Sequence, residues 1–169
     1  MLLQAIMLIA CPVLFAFGAM TDLLSYRIPN WIPVALIALF VPAVFLGGMP
    51  FDAAAMHALV FAGALIFGMA LFAMNVVGGG DAKFMAAIAL WMGPLLILKY
   101  AVVFALVGGV FAILLINLRK TPMPALTARV PVLNQLLSPK AGMPYGVALG
   151  IGGLIVLPGT FLFMKALTP

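Results

Sequence analysis

The sequence predicts an all-α, polytopic membrane protein with six transmembrane helices and both termini on the outer side. Three observations carry that prediction. Of the 169 residues, 67% are hydrophobic and only 7% are charged, whereas soluble proteins carry about a quarter charged. Mean hydropathy is +1.37. The apolar residues also gather in six runs, each near the roughly 20 residues a spanning helix needs. Strands are excluded, because lipid leaves no water to satisfy an open sheet edge. The six runs are read as one integral-membrane domain over 1–169, with no room for a soluble one.

The first predicted helix covers 2–21. Its quartet Leu8-Ile9-Ala10-Cys11 has the look of a lipoprotein cleavage box. No basic residue precedes it, however, and the apolar run continues through Phe15, unlike a signal peptide. The second helix, 31–48, follows Arg27-Ile28-Pro29-Asn30. Proline holds Ile28 extended and Asn30 is placed to cap. Pro33 then falls in the first turn, where its missing N–H does no harm. The third helix, 53–76, is read as N-capped by Asp52. The fourth, 82–98, follows Gly78-Gly79-Gly80, and the fifth covers 100–117. Between the fifth and the sixth, 143–166, lie Pro122, Pro124, Pro131, Pro139 and Pro144. They exclude a long helix and leave room for a short interfacial turn around Val132 to Leu137.

Loop charge sets the orientation. The loops after the first, third and fifth helices, about 22–30, 77–82 and 118–142 with their flanks, carry Arg27, Lys83, Arg119, Lys120, Arg129 and Lys140. The other side has only Lys99 and Lys165. Basic residues mark the cytoplasmic side, which places those three loops inside. The net charge of +5 is read as this bias and not as a nucleic-acid footprint. Tyr26, Trp31, Tyr100 and Tyr145 fall near predicted interfaces, and His57 on the outer half of the third helix is read as a residue of the same kind. A lone cysteine, Cys11, excludes an internal disulfide and a CxxC clip; no metal or cofactor is expected.

Acids are the scarce resource. There is no glutamate, and the carboxylates are Asp22, Asp52 and Asp81. Asp52 is assigned no chemistry. Asp22 ends the first helix and Asp81 opens the fourth, so residues distant in sequence fall at one membrane depth on the cytoplasmic side. Two facing carboxyls can share a proton: the ionised one activates water and the protonated one polarises a peptide carbonyl. That is aspartic-protease chemistry. Helix dipoles assign the charge to Asp81 and the proton to Asp22. Gly78-Gly79-Gly80 supplies backbone freedom and close approach. Arg27 has two readings of equal weight, a structural partner for Asp22 or a substrate contact. Gly142, Gly146 and Gly150 are read as a helix-packing ridge.

Three segments carry a family resemblance. Gly78 to Phe84, "GGGDAKF", resembles the GxGD-x-K pattern of the type IV prepilin peptidases. Asp22 to Asn30, "DLLSYRIPN", is similar to their first motif, an aspartate followed by Arg-x-Pro-Asn. Met143 to Gly152, "MPYGVALGIG", resembles their last-helix segment, with Val147 where a second proline is usual. The motifs stand in the family's order and span essentially the whole chain. The resemblance implies that Asp22 and Asp81 are the catalytic pair. It gives supporting or substrate-binding roles to Gly78, Gly80, Lys83, Arg27, Pro29, Asn30, Pro144, Tyr145 and Gly146. It implies a prepilin or pseudopilin substrate, cut just after a glycine on the cytoplasmic face of the inner membrane, with pilus assembly machinery as a further partner.

The large bifunctional members carry paired CxxC motifs in an insert after the first helix. Here a few residues separate the first two helices, which is similar to the small peptidase-only members of tight-adherence (Flp) pili. Archaeal preflagellin peptidases share the acids. The alternative class is a small ion- or proton-coupled transporter or channel, which calls for acids nearer mid-helix and broken helices around a cavity.

Overall fold

The computed structural model describes residues 1–120, 131–138 and 141–168, and the described elements are all helices. Helix α1, Leu2–Ser25, opens the chain. Pro12 cannot donate a backbone hydrogen bond, and just before it the helix loosens into a π turn over Ile6–Ala10, closed by Cys11 N–H on the Ile6 carbonyl. Helix α2 is Trp31–Gly47, ended by Gly48 in the left-handed region. Helix α3, Phe51–Ala73, starts after Pro50. Asp52 is therefore in its first turn and not at its N-cap, where it still complements the helix dipole.

Helix α4, Gly79–Lys120, runs through the predicted break near Lys99 and turns instead at Gly93, with φ 62° and ψ −174°. Asp81 and Phe104 line one cavity, although a straight helix would separate them by about 34 Å. The two arms of α4 are thus folded back on each other. The predicted fourth and fifth helices exist, but their boundary lies at Gly93-Pro94. The first arm is buried from Phe84 to Gly93. An element apolar on every side belongs in a core. The second arm carries Lys99 on its exposed surface.

The turn has a physical account. Pro94 lacks an N–H, so the Leu90 carbonyl loses its helical donor. His57 of α3 supplies one: its Nδ1 lies 2.7 Å from the Leu90 oxygen. The imidazole also covers Gly93 on the side where a Cβ would stand and stacks on Phe40. His57 is therefore a packed polar residue and not an interface side chain.

Short helix α5, Pro131–Leu137, matches the predicted interfacial turn. Arg119 ties it down, donating to the Leu136 and Gly142 carbonyls at 2.9 Å each. Arg129 and Lys140 lie outside the described residues. Helix α6, Tyr145–Val156, continues through a 3₁₀ turn, Leu157–Gly159, into α7, Phe161–Leu167. The last two helices are bent by 56°. The predicted final helix is thus broken at Thr160.

By length and composition, Leu2–Ser25, Phe51–Ala73 and Gly79–Lys120 can cross a membrane, and the bent final pair makes a fourth. Helix α2 has 17 residues, about 25 Å against a hydrocarbon core of about 30 Å. Inside the bundle, Trp91 donates to the Leu36 carbonyl at 3.2 Å and meets Phe40 edge-on. Small residues bring α6 onto α1: Gly150 leaves no room for a Cβ beside the Phe15 carbonyl and Ala19, and Gly153 abuts the Phe15 ring. Gly142 precedes the helix and a Cβ there would have no atom within 4 Å, so the packing ridge is Gly146, Gly150 and Gly153.

Candidate active site

Asp22 lies in the last turn of α1, which Tyr26 ends in the left-handed region while donating to the Asp22 carbonyl at 2.8 Å. The Asp22 side chain is buried, 4% exposed, and its Oδ2 accepts the Gly146 N–H at 2.7 Å. Gly146 is the second residue of α6, where helix N–H groups have no partner within the helix. The carboxylate at the C-terminal end of one helix thereby caps the N-terminal end of another. A Cβ on Gly146 would meet the Ile28 side chain at 2.7 Å and the Asp22 Cβ at 2.8 Å. Only glycine permits this approach.

Asp81 is the third residue of α4. Its Oδ2 reaches back to the Gly78 N–H at 3.1 Å, the reciprocal half of a capping box. Asp81 Oδ1 is buried with no hydrogen-bond partner among the described residues. A buried, unpartnered carboxyl oxygen is costly unless a proton or water completes it. Both acids therefore face a helix N-terminus. The dipole argument that separated them in the sequence no longer does so, because α6 supplies Asp22 with the positive end that α1 denies it.

Both acids line one open cavity of about 530 Å³, walled by residues 21–22 and 25–30 on one side and 78–81 on the other. Among the predicted supporting residues, Gly78, Gly80, Arg27, Pro29 and Asn30 share that wall. Arg27 is exposed, and among the described residues no ion pair joins it to Asp22. Lys83 stands just outside and donates to Asn30 Oδ1 at 3.1 Å, tying the two segments together. The Asn30 side chain is thus diverted from the predicted cap, which α2 lacks. The Gly78–80 stretch has no positive φ. Its glycines serve close approach, Gly80 lying against the Ile28 backbone. Pro144 is buried and precedes α6, and Tyr145 stands beside Asp81 in an adjoining cavity.

Two residues escaped the sequence reading as parts of the site. Ile28 is a buried wedge between Gly80 and Gly146. Tyr26 lines the cavity with its hydroxyl buried and without a hydrogen-bond partner among the described residues, and burial pushes its phenol up. Proline fixing Ile28 as extended was the available signal for the first; nothing in the sequence marked the second beyond its place in the motif. Among the described residues no group of His, Cys, Asp and Glu is placed to hold a metal.

A family model described as the type IV leader peptidase family matches residues 8–117. That range contains both acids and stops short of Gly146. No curated protein and no solved structure matches.

Proposed function

The chain belongs to the type IV leader peptidase family, aspartic peptidases that act on prepilin leaders, and from that premise we propose that it hydrolyses one peptide bond with Asp22 and Asp81 as its acid–base pair. The observation that carries the reading is the convergence of both carboxyls on one cavity, with Asp22 held on the Gly146 N–H and Asp81 on the Gly78 N–H. Like charges in such a place do not both ionise, so the pair holds one proton and titrates jointly. The ionised carboxylate takes a proton from water as its oxygen attacks the scissile carbonyl. The protonated carboxyl hydrogen-bonds the carbonyl oxygen as charge develops there. The tetrahedral intermediate then collapses, its C–N bond breaks, and the pair returns a proton to the leaving amine.

The substrate is a prepilin or pseudopilin precursor. Its short basic leader is cut off just after a glycine, and its apolar helix stays in the bilayer. Acids at helix ends suit a bond lying just outside the lipid. Arg27, Lys83, Arg119 and Lys120 stand toward the end of the bundle that holds the acids, which favours the cytoplasmic face of the inner membrane. Only residues 26–30 separate α1 from α2, which leaves no insert there, and the one cysteine is buried Cys11. These features support a peptidase without N-methyltransferase activity, of the tight-adherence type, working beside a pilus assembly machinery.

The test is incubation of membranes holding the chain with a pilin precursor, followed by mass spectrometry of the product. A leader-free product with an unmethylated new N-terminus directly after the glycine is expected. An intact precursor contradicts the activity, and a methylated N-terminus contradicts the subtype.

A further inference from the structure

Two apolar cavities lie along α3: one of about 370 Å³ against the second arm of α4, and one of about 210 Å³ against the first arm of α4 and α6. They share Phe67, Met85 and Phe104, so they are two stretches of one groove. The walls of the larger stretch are helix faces: Val60, Gly63, Ala64 and Phe67 on α3, and Ile97, Tyr100, Ala101 and Phe104 on α4. Both sets follow the i, i+3, i+4, i+7 spacing of a single helix face. At one end the groove reaches Asp81 and Tyr145. Toward the other end Gly63 is open: a Cβ there would have no atom within 4 Å.

We propose that this groove receives the apolar helix of the substrate and delivers the bond before it to Asp81. The proposal rests on the peptidase reading above and adds the docking surface that the reading lacks. Continuity with the catalytic carboxylate identifies the occupant: a lipid chain has no reason to end at an acid, whereas a substrate whose apolar helix begins beside the scissile bond must lie there. Small residues on both walls let a helix approach closely, as helices associate in membranes through packing and small side chains. Gly63 lies eight residues before Leu71, which lines the stretch holding Asp81. That is about 12 Å of helix, so Gly63 faces the substrate roughly eight residues beyond the cut.

Gly63→Leu projects into the groove from a position where a Cβ meets no atom within 4 Å, and Gly109→Leu adds the same volume at an exposed position that is equally open. The full chain in membranes is given two substrates: the intact precursor, and a soluble peptide carrying the leader and cleavage point without the apolar helix. Gly63→Leu is expected to lower kcat/KM for the precursor roughly tenfold or more and to leave the peptide unchanged, while Gly109→Leu alters neither. A Gly63→Leu chain that cuts the precursor like the unsubstituted chain overturns the proposal and leaves the groove to lipid. Loss of both substrates overturns it too, since the effect then reaches the acids themselves. An unsubstituted chain that cuts neither substrate overturns the peptidase reading instead. A second measurement covers the case of a peptide too weakly bound to be cut. With Asp22→Asn holding the precursor uncut, Gly63→Cys is expected to cross-link a cysteine placed about eight residues past the cleavage point, and Gly109→Cys is not. Cross-linking by both or by neither overturns the docking.

Discussion

At the scale of single residues, Gly146 carries more than its place in a packing ridge. Its N–H binds Asp22, and its missing side chain makes room for Ile28 and for the acid. Gly146→Ala is expected to push Asp22 off its donor. A misplacement of about 1 Å at a reacting group can cost about 10²-fold in rate, and cleavage assays should show a fall in kcat of that order. Overpacking of this kind costs about 1–3 kcal/mol of stability, so the folded fraction is measured alongside by thermal unfolding. The acids themselves were legible in the sequence, because a chain with three carboxylates in all puts two at helix ends of equal depth. Gly146 was legible as a small residue at four-residue spacing and, through the family resemblance, as a supporting residue of the site. Nothing local reveals that its N–H meets a carboxylate 124 residues away.

At the scale of elements, the turn at Gly93 decides how the buried arm of α4 is held. The sequence reading put the break near Lys99, because a charge is the conspicuous interruption of an apolar run. Backbone chemistry places it at Gly93-Pro94, where one residue takes positive φ and the next removes a hydrogen bond. The compensating donor, His57, lies on another helix, which a linear reading cannot see. His57→Leu should leave the Leu90 carbonyl without that donor. The expected loss is about 1–3 kcal/mol, read as a lowered Tm in detergent, with cleavage retained in the folded fraction because the turn lies at the opposite end of the buried arm from Asp81. Gly93→Ala should destabilise the chain too, since alanine neither favours φ 62° nor fits beneath the imidazole. The final helix differs: Pro158-Gly159 is a turn signal inside the predicted run, and Thr160 ends one segment and caps the next, its hydroxyl accepting the Phe163 N–H.

At the scale of the whole molecule, composition made the membrane class and the all-α fold legible. Span count was less so, because α2 and the first arm of α4 are short and the final helix is bent by 56°. Orientation rests on charge, and a labelling experiment addresses it. Arg27→Cys should react with a membrane-impermeant thiol reagent only from the cytoplasmic side, and Lys165→Cys only from outside. Both positions are exposed, while Cys11 is buried, so the background is low. The association of α1, α4 and α6 explains how distant motifs come together: glycines let the helices approach until Asp22 meets Gly146 and shares a cavity with Asp81.

The most direct test of the paired-acid account is precursor cleavage by Asp22→Asn, Asp81→Asn and Asp52→Asn in membranes, compared with the unsubstituted chain. Asparagine preserves the caps but cannot exchange the proton. The account predicts that either of the first two loses about 10²- to 10⁴-fold in rate, while Asp52→Asn, altered in an exposed first turn of α3, cleaves normally. Full cleavage by Asp22→Asn or by Asp81→Asn would contradict it.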